Sequence, residues 1–164
     1  MSRLHLIDPA LAAGETRDVL EHAKATFGAV PNMIRAMANS PAAATTFIDA
    51  FKTLGKGLLD GKAREAIALA VAQVNRCDYC LSAHTAIGKM HGLVDAQING
   101  ARNGTTGDAK LDAIVTLARR VVATQGHLTD SDLASAKSAG LSDGHVAEVV
   151  AHVALAFYTN YFNH

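Results

Sequence analysis

Between Glu65 and Gln73 the chain reads Ala-Ile-Ala-Leu-Ala-Val-Ala, seven residues without a polar side chain. Strands favour β-branched and aromatic residues while alanine is the best helix former, so alanine at every second position here argues for a helix. A helix with no polar face is buried on most sides and needs other helices around it. Small side chains let those neighbours approach closely. The rest of the composition agrees: aromatics are 5% with no tryptophan, and alanine recurs at Ala42, Ala43 and Ala44.

Punctuation along the chain separates a series of helices. Asp8-Pro9 can start a short helical turn, and Thr16 can cap a segment carrying Val19, Leu20, Ala23 and Phe27 on one face, stopped by Gly28. Pro31 and Pro41 stand where a proline opens a helix, the second behind a capping Ser40. Phe47, Phe51, Leu54 and Leu58 then follow helical spacing until Gly55, Gly57 and Gly61 break the chain. Asp60 is expected to cap a helix running from about Lys62 to Asn75. Further helices are expected from near Asp78 to Gly92, after Asp95, around Leu111 to Val122, after Thr129 with its Asp132 capping box, and after Ser142. No run alternates in polarity, and no linker or low-complexity tail interrupts the chain. The expectation is an all-α helical bundle formed as a single domain over residues 1–164, a length that suits one domain.

Charge excludes several partners. Lysine plus arginine is 15 and aspartate plus glutamate is 15, a formal balance of +0, where a nucleic-acid binder needs a basic excess to displace counterions. No apolar run approaches the roughly 18 residues of a membrane span. The start, Met1-Ser2-Arg3-Leu4-His5, lacks the apolar stretch of a signal peptide, so a cytoplasmic location is expected. Two cysteines are too few for a disulfide scaffold, and their spacing carries the information.

That spacing is Cys77-Asp78-Tyr79-Cys80, with His84 four residues further on. A Cys-x-x-Cys at a helix start lets two sulfurs form a small disulfide ring, and the helix N-terminus favours the reactive thiolate. His84 lies one turn beyond Cys80 on the same face, where an imidazole can take the thiol proton or hold the thiolate. Glu65, the last ionisable side chain before Arg76, is the candidate to orient it, because helices joined by a short turn pack antiparallel. From Glu65 to the turn is roughly 16 Å and from the turn to His84 roughly 9 Å at 1.5 Å rise per residue. Contact then requires an early turn, a large crossing angle or a water. Tyr79 can lend its hydroxyl to such a site or simply pack. Two plainer readings compete: inert core cysteines, or a zinc site in which Cys77, Cys80 and His84 recruit a fourth ligand such as His127 or His152. The helix dipole alone favours Cys77 as the thiolate, and the histidine favours Cys80.

Glu65, eleven residues, Cys77-x-x-Cys80, three residues and His84 together resemble the signature of the alkylhydroperoxidase D-like branch of the carboxymuconolactone decarboxylase superfamily. Upstream, Phe27-Gly28-Ala29-Val30-Pro31-Asn32 and Asn39-Ser40-Pro41 are similar to its peroxidase-related members, as is the stretch from Glu148 to Asn160. The resemblance implies a homotrimer or homohexamer, and a thiol peroxidase without metal or organic cofactor. It also implies roles: Cys80 as peroxidatic thiolate, Cys77 as resolving thiol, and His84 and Glu65 as proton relay, with Tyr79 beside them from the sequence alone. The implied partners are a hydroperoxide and a dithiol reductant, by analogy a lipoylated carrier or a peroxiredoxin. Tyr79 departs from the best-known peroxidases, which carry a histidine there, and tyrosine cannot accept a proton near pH 7. The decarboxylase members lack the cysteine pair, which argues against lactone chemistry. The alternatives are a redox-responsive interaction module without turnover and a proton-transfer enzyme using His84 and Glu65 alone.

Overall fold

The computed structural model describes residues 2–164, and Met1, at the head of the stretch weighed above as a signal peptide, lies outside them. Among the described residues there are nine helices and no strand: α1 Gly14–Phe27, α2 Asn32–Met37, α3 Pro41–Leu54, α4 Gly61–Asn75, α5 Asp78–Met90, α6 Asp95–Asn103, α7 Ala109–Ala123, α8 Asp130–Ser138 and α9 Asp143–Asn163. The chain divides into two compact units, Met1–Thr53 and Leu54–His164. No shift in composition marks the division, which falls just before Gly55.

In the first unit, Asp8 to Leu11 form a turn in place of the expected helical start, with Leu11 N–H donating to the Asp8 carbonyl at 3.0 Å. α1 begins at Gly14, two residues before Thr16, without a side-chain cap. Gly28 ends it at φ 75°, the left-handed conformation that glycine adopts at no steric cost. Phe27, Phe47 and Phe51 cluster with ring centroids 5.0 to 6.1 Å apart. Arg35 ties the extended N-terminal segment down, its Nε donating to the Ile7 carbonyl at 2.8 Å. The helical stripe ends at Leu54, and Leu58, counted within it from spacing, lies outside any helix and is exposed.

In the second unit α4 is the axis, packed by α5, α6, α7 and α9. Ala66, Ile67, Leu69, Ala70, Val71 and Ala72 are all fully buried, which is why the sequence offers no polar face. Asp60 caps α4 by accepting from Ala63 N–H at 2.8 Å, and Ser142 caps α9 by accepting from His145 N–H. α7 and α9 supply the opposing core through Leu111, Ile114, Val115, Leu117, Ala118, Val149 and Val153. On α9 the buried stripe runs Val149, Val153 and Ala156, while Val150 is exposed. Glu148 anchors the link into α4: its carboxylate accepts from Leu58 N–H at 2.8 Å and Leu59 N–H at 3.0 Å. A Cβ on Gly57 would lie 2.5 Å from that carboxylate, so a side chain there would displace the Glu148 head group from the link. No helix among the described residues is long and apolar enough to cross a membrane.

Candidate active site

The turn between α4 and α5 is as short as two helices allow. Arg76, the C-cap of α4, takes a left-handed conformation at φ 56° and ψ 40°, and Cys77 beside it is already the N-cap of α5. A non-glycine residue there carries local strain of about 1 kcal/mol. Cys77 and Cys80 are joined as a disulfide with Cα atoms 5.2 Å apart. The Cys77 sulfur accepts from Cys80 N–H at 3.3 Å, replacing the hydroxyl or carboxylate that usually caps a helix. Both cysteines are 2% exposed and pack against Ala72 and Leu81.

The hinge at Arg76 and Cys77 sets the register of the two helices. Glu65 lies eleven residues before Arg76 and Gly88 eleven after Cys77, so these two stand opposite each other. A Cβ on Gly88 would sit 3.7 Å from Glu65 Cβ and 3.1 Å from Leu93 Cδ1, which shows how closely the helices approach. His84 is one turn back from Gly88, roughly 6 Å along the axis. The Glu65 carboxylate and the imidazole cover that offset, and His84 Nδ1 meets Glu65 Oε2 at 2.7 Å with no intervening water. Of the routes that the helix lengths left open, the structure shows direct contact without a bridging water. A carboxylate only accepts, so Nδ1 carries the hydrogen and Nε2 is left as the imidazole's working nitrogen. Glu65 is buried and the His84 side chain 26% exposed.

Tyr79 is 59% exposed on the first turn of α5 and forms no hydrogen bond with the other four residues. No group of three or more His, Cys, Asp or Glu side chains among the described residues is placed to hold a metal ion. His91 lies over Gly61, so close that a Cβ there would collide with its ring.

Spacing could not find the contribution of α9. Asn163 Nδ2 donates to the Cys80 sulfur at 3.6 Å, and Asn75 Nδ2 donates to Asn160 Oδ1 at 3.0 Å. Asn160 is fully buried, and its own Nδ2 has no partner. The signal available in the sequence was two amides three residues apart just beyond the apolar run Val153-Ala154-Leu155-Ala156-Phe157. His152, also on α9, has a buried Nε2 without a partner. Burial pushes its pKa below the usual histidine value, Arg64 adds to that, and Glu148 and Glu65 oppose it. Two surface cavities, of about 310 and 210 Å³, are lined by residues other than the Glu/Cys/Cys/His set.

An all-helical chain with a Cys-x-x-Cys at one helix start and a Glu-His pair beside it belongs to a recognisable class. The family model for carboxymuconolactone decarboxylases matches residues 41–123, half of the chain, and the protein belongs to that family. No curated protein matches it in sequence. Among solved structures, an uncharacterized peroxidase-related protein of the alkylhydroperoxidase AhpD core type from Ralstonia eutropha superposes with a TM-score of 0.83. It is 20% identical, over 98% of this chain and 87% of that one. The AhpD core protein from Rhodospirillum rubrum is 32% identical over 81% of this chain and 98% of its own, with a TM-score of 0.54. A cysteine-to-alanine variant of the debrominase Bmp8, in complex with 2,3,4-tribromopyrrole, has a TM-score of 0.80 at 18% identity, over 99% of this chain and 88% of that one.

Proposed function

We propose that the protein is a thiol peroxidase that cycles Cys77 and Cys80 between dithiol and disulfide. The observation that carries this reading is the direct His84–Glu65 bond, one helical turn from Cys80. Glu65 fixes the imidazole through Nδ1, and Nε2 takes the proton of the Cys80 thiol. The Cys80 thiolate attacks the terminal oxygen of a hydroperoxide and the O–O bond breaks. The alkoxide leaves with the proton held by His84 as an alcohol, and Cys80 becomes a sulfenic acid. The Cys77 thiol attacks that sulfur, releasing water and forming the disulfide seen here. A dithiol reductant restores both thiols by exchange and leaves as its own disulfide. Tyr79, exposed and unpaired with the set, takes no proton in this cycle. By family analogy the reductant is a lipoylated carrier or a peroxiredoxin, and the protein works as a homotrimer or homohexamer.

The experiment is steady-state consumption of hydrogen peroxide, tert-butyl hydroperoxide and cumene hydroperoxide with dihydrolipoamide as reductant. Many turnovers per protein are expected, all lost in Cys80→Ser. A single stoichiometric oxidation identifies a redox-responsive module instead. Turnover of a lactone substrate that survives in the Cys77→Ser/Cys80→Ser double variant identifies proton-transfer chemistry. Bmp8 acts as a debrominase, so a bromopyrrole belongs in the same screen. Bromide release without peroxide turnover would assign the dithiol's two electrons to replacing bromine by hydrogen.

A further inference from the structure

The two sulfurs have different hydrogen-bond donors, and the difference bears on which is the nucleophile. Cys77, the N-cap, accepts from the backbone N–H of Cys80, while Cys80 accepts from the side chain of Asn163. The helix terminus alone would make Cys77 the stabilised thiolate. We infer that Asn163 is a further residue of the site: its amide holds the Cys80 sulfur as thiolate and reverses the preference of the helix terminus. The inference rests on the reading of Cys80 as the nucleophile and adds the group that makes it so.

The placement of Asn163 is built by α9. Asn160 is fully buried and bound by Asn75, which lies at the end of α4 two residues before Cys77. That bond fixes the last turn of α9 against the hinge. Asn163, three residues on, is on the same face of α9 and comes to lie over Cys80. Two amides of one helix thus flank the hinge, one gripping its approach and one the reactive sulfur. A disulfide sulfur is a weak acceptor and a thiolate a strong one, so the Asn163 bond strengthens on reduction. His84 removes the proton and Asn163 stabilises the charge that remains, from opposite elements, α5 and α9. The same N–H then faces the oxygen of a sulfenate at Cys80.

The test reads each thiol separately. In reduced Cys77→Ser protein the rate of iodoacetamide alkylation against pH gives the pKa of Cys80, and in Cys80→Ser protein that of Cys77. Asn163→Leu in the first background is expected to raise the Cys80 pKa by about one unit and slow alkylation at pH 7 about tenfold, the effect of losing one charge-assisted hydrogen bond. In the second background Cys77 is expected to titrate as before. Asn163→Asp keeps the shape and replaces the donor by an acceptor, so it should raise the Cys80 pKa further, and Asn163→Gln should restore part of it. Unchanged titration of Cys80 in either the Leu or the Asp variant overturns the inference, as does an equal shift at Cys77. Alkylation needs no peroxide turnover. A wild-type protein that fails to consume peroxide but shows the selective shift refutes the peroxidase reading and leaves this one standing.

Discussion

In the proposed mechanism the chemistry depends on one side-chain contact between two helices, His84 Nδ1 to Glu65 Oε2. Glu65 is buried and its carboxylate is spent on His84, so replacing it removes the group that fixes the imidazole's orientation. Glu65→Gln keeps the shape and loses the charge. Its peroxide consumption should fall by roughly tenfold to a hundredfold, within the range of general acid–base effects. The pH–rate profile separates a loss of relay from a loss of fold. An unchanged profile and rate would show that the contact is only structural. At this scale the sequence was legible where residues are linked by short intervals. Cys77, Cys80 and His84 lie on one helix start, and helical geometry alone relates them. Asn163 stands 83 residues from Cys80, and no spacing rule connects them. Glu65 lies between these cases: its partner was foreseen, while direct or water-mediated contact was left open, because helix lengths alone do not give the crossing angle or the side-chain reach.

Gly88 lies where α5 meets α4, with Leu93 and Glu65 the nearest side chains to an added Cβ. Glycine in a helix interior costs about 1 kcal/mol relative to alanine, so its presence here points to packing. Gly88→Leu forces a side chain against Leu93 and Glu65 and should destabilise the fold by about 1–3 kcal/mol, seen in urea unfolding. The same variant should lose the His84–Glu65 bond, seen as a change in the His84 ring shifts by NMR. Just before α4, Glu148 holds the link from Leu58 to Leu59 onto α9. Glu148→Ala leaves those N–H groups without their carboxylate and should cost about 1–3 kcal/mol in the same measurement. Element boundaries were legible at caps with a stated chemistry, such as Asp60, Thr129 and Ser142. They were missed at α1, whose start has no capping side chain for the sequence to display.

The stability of the whole molecule carries a pH dependence with a defined sign. His152 has its folded pKa pushed below the ordinary value of 6.5, first by burial and then by Arg64. A group with a depressed folded pKa contributes stability that is full above the unfolded value and lost as pH falls through the folded one. The melting temperature should therefore drop as pH goes from 7 toward 5. His152→Leu should flatten that drop relative to wild type, in scanning calorimetry across the same range. An equal drop in the variant would place the acid sensitivity elsewhere. Asp112 works in the same direction at lower pH, since its bonds from Thr106 hold its carboxyl below the usual carboxylate range. The all-helical class was legible because α4 is apolar on every side and only surrounding helices satisfy it. The division at Thr53 and Leu54 was not, because neither composition nor a linker marks it.

The proposed peroxidase reading turns on which sulfur meets the peroxide. Its most direct test is dimedone trapping after one equivalent of hydrogen peroxide, read by intact mass on the two single variants. The account predicts a sulfenic acid adduct at Cys80 in Cys77→Ser and none at Cys77 in Cys80→Ser. Labelling of Cys77 alone, or of both to the same extent, would contradict it.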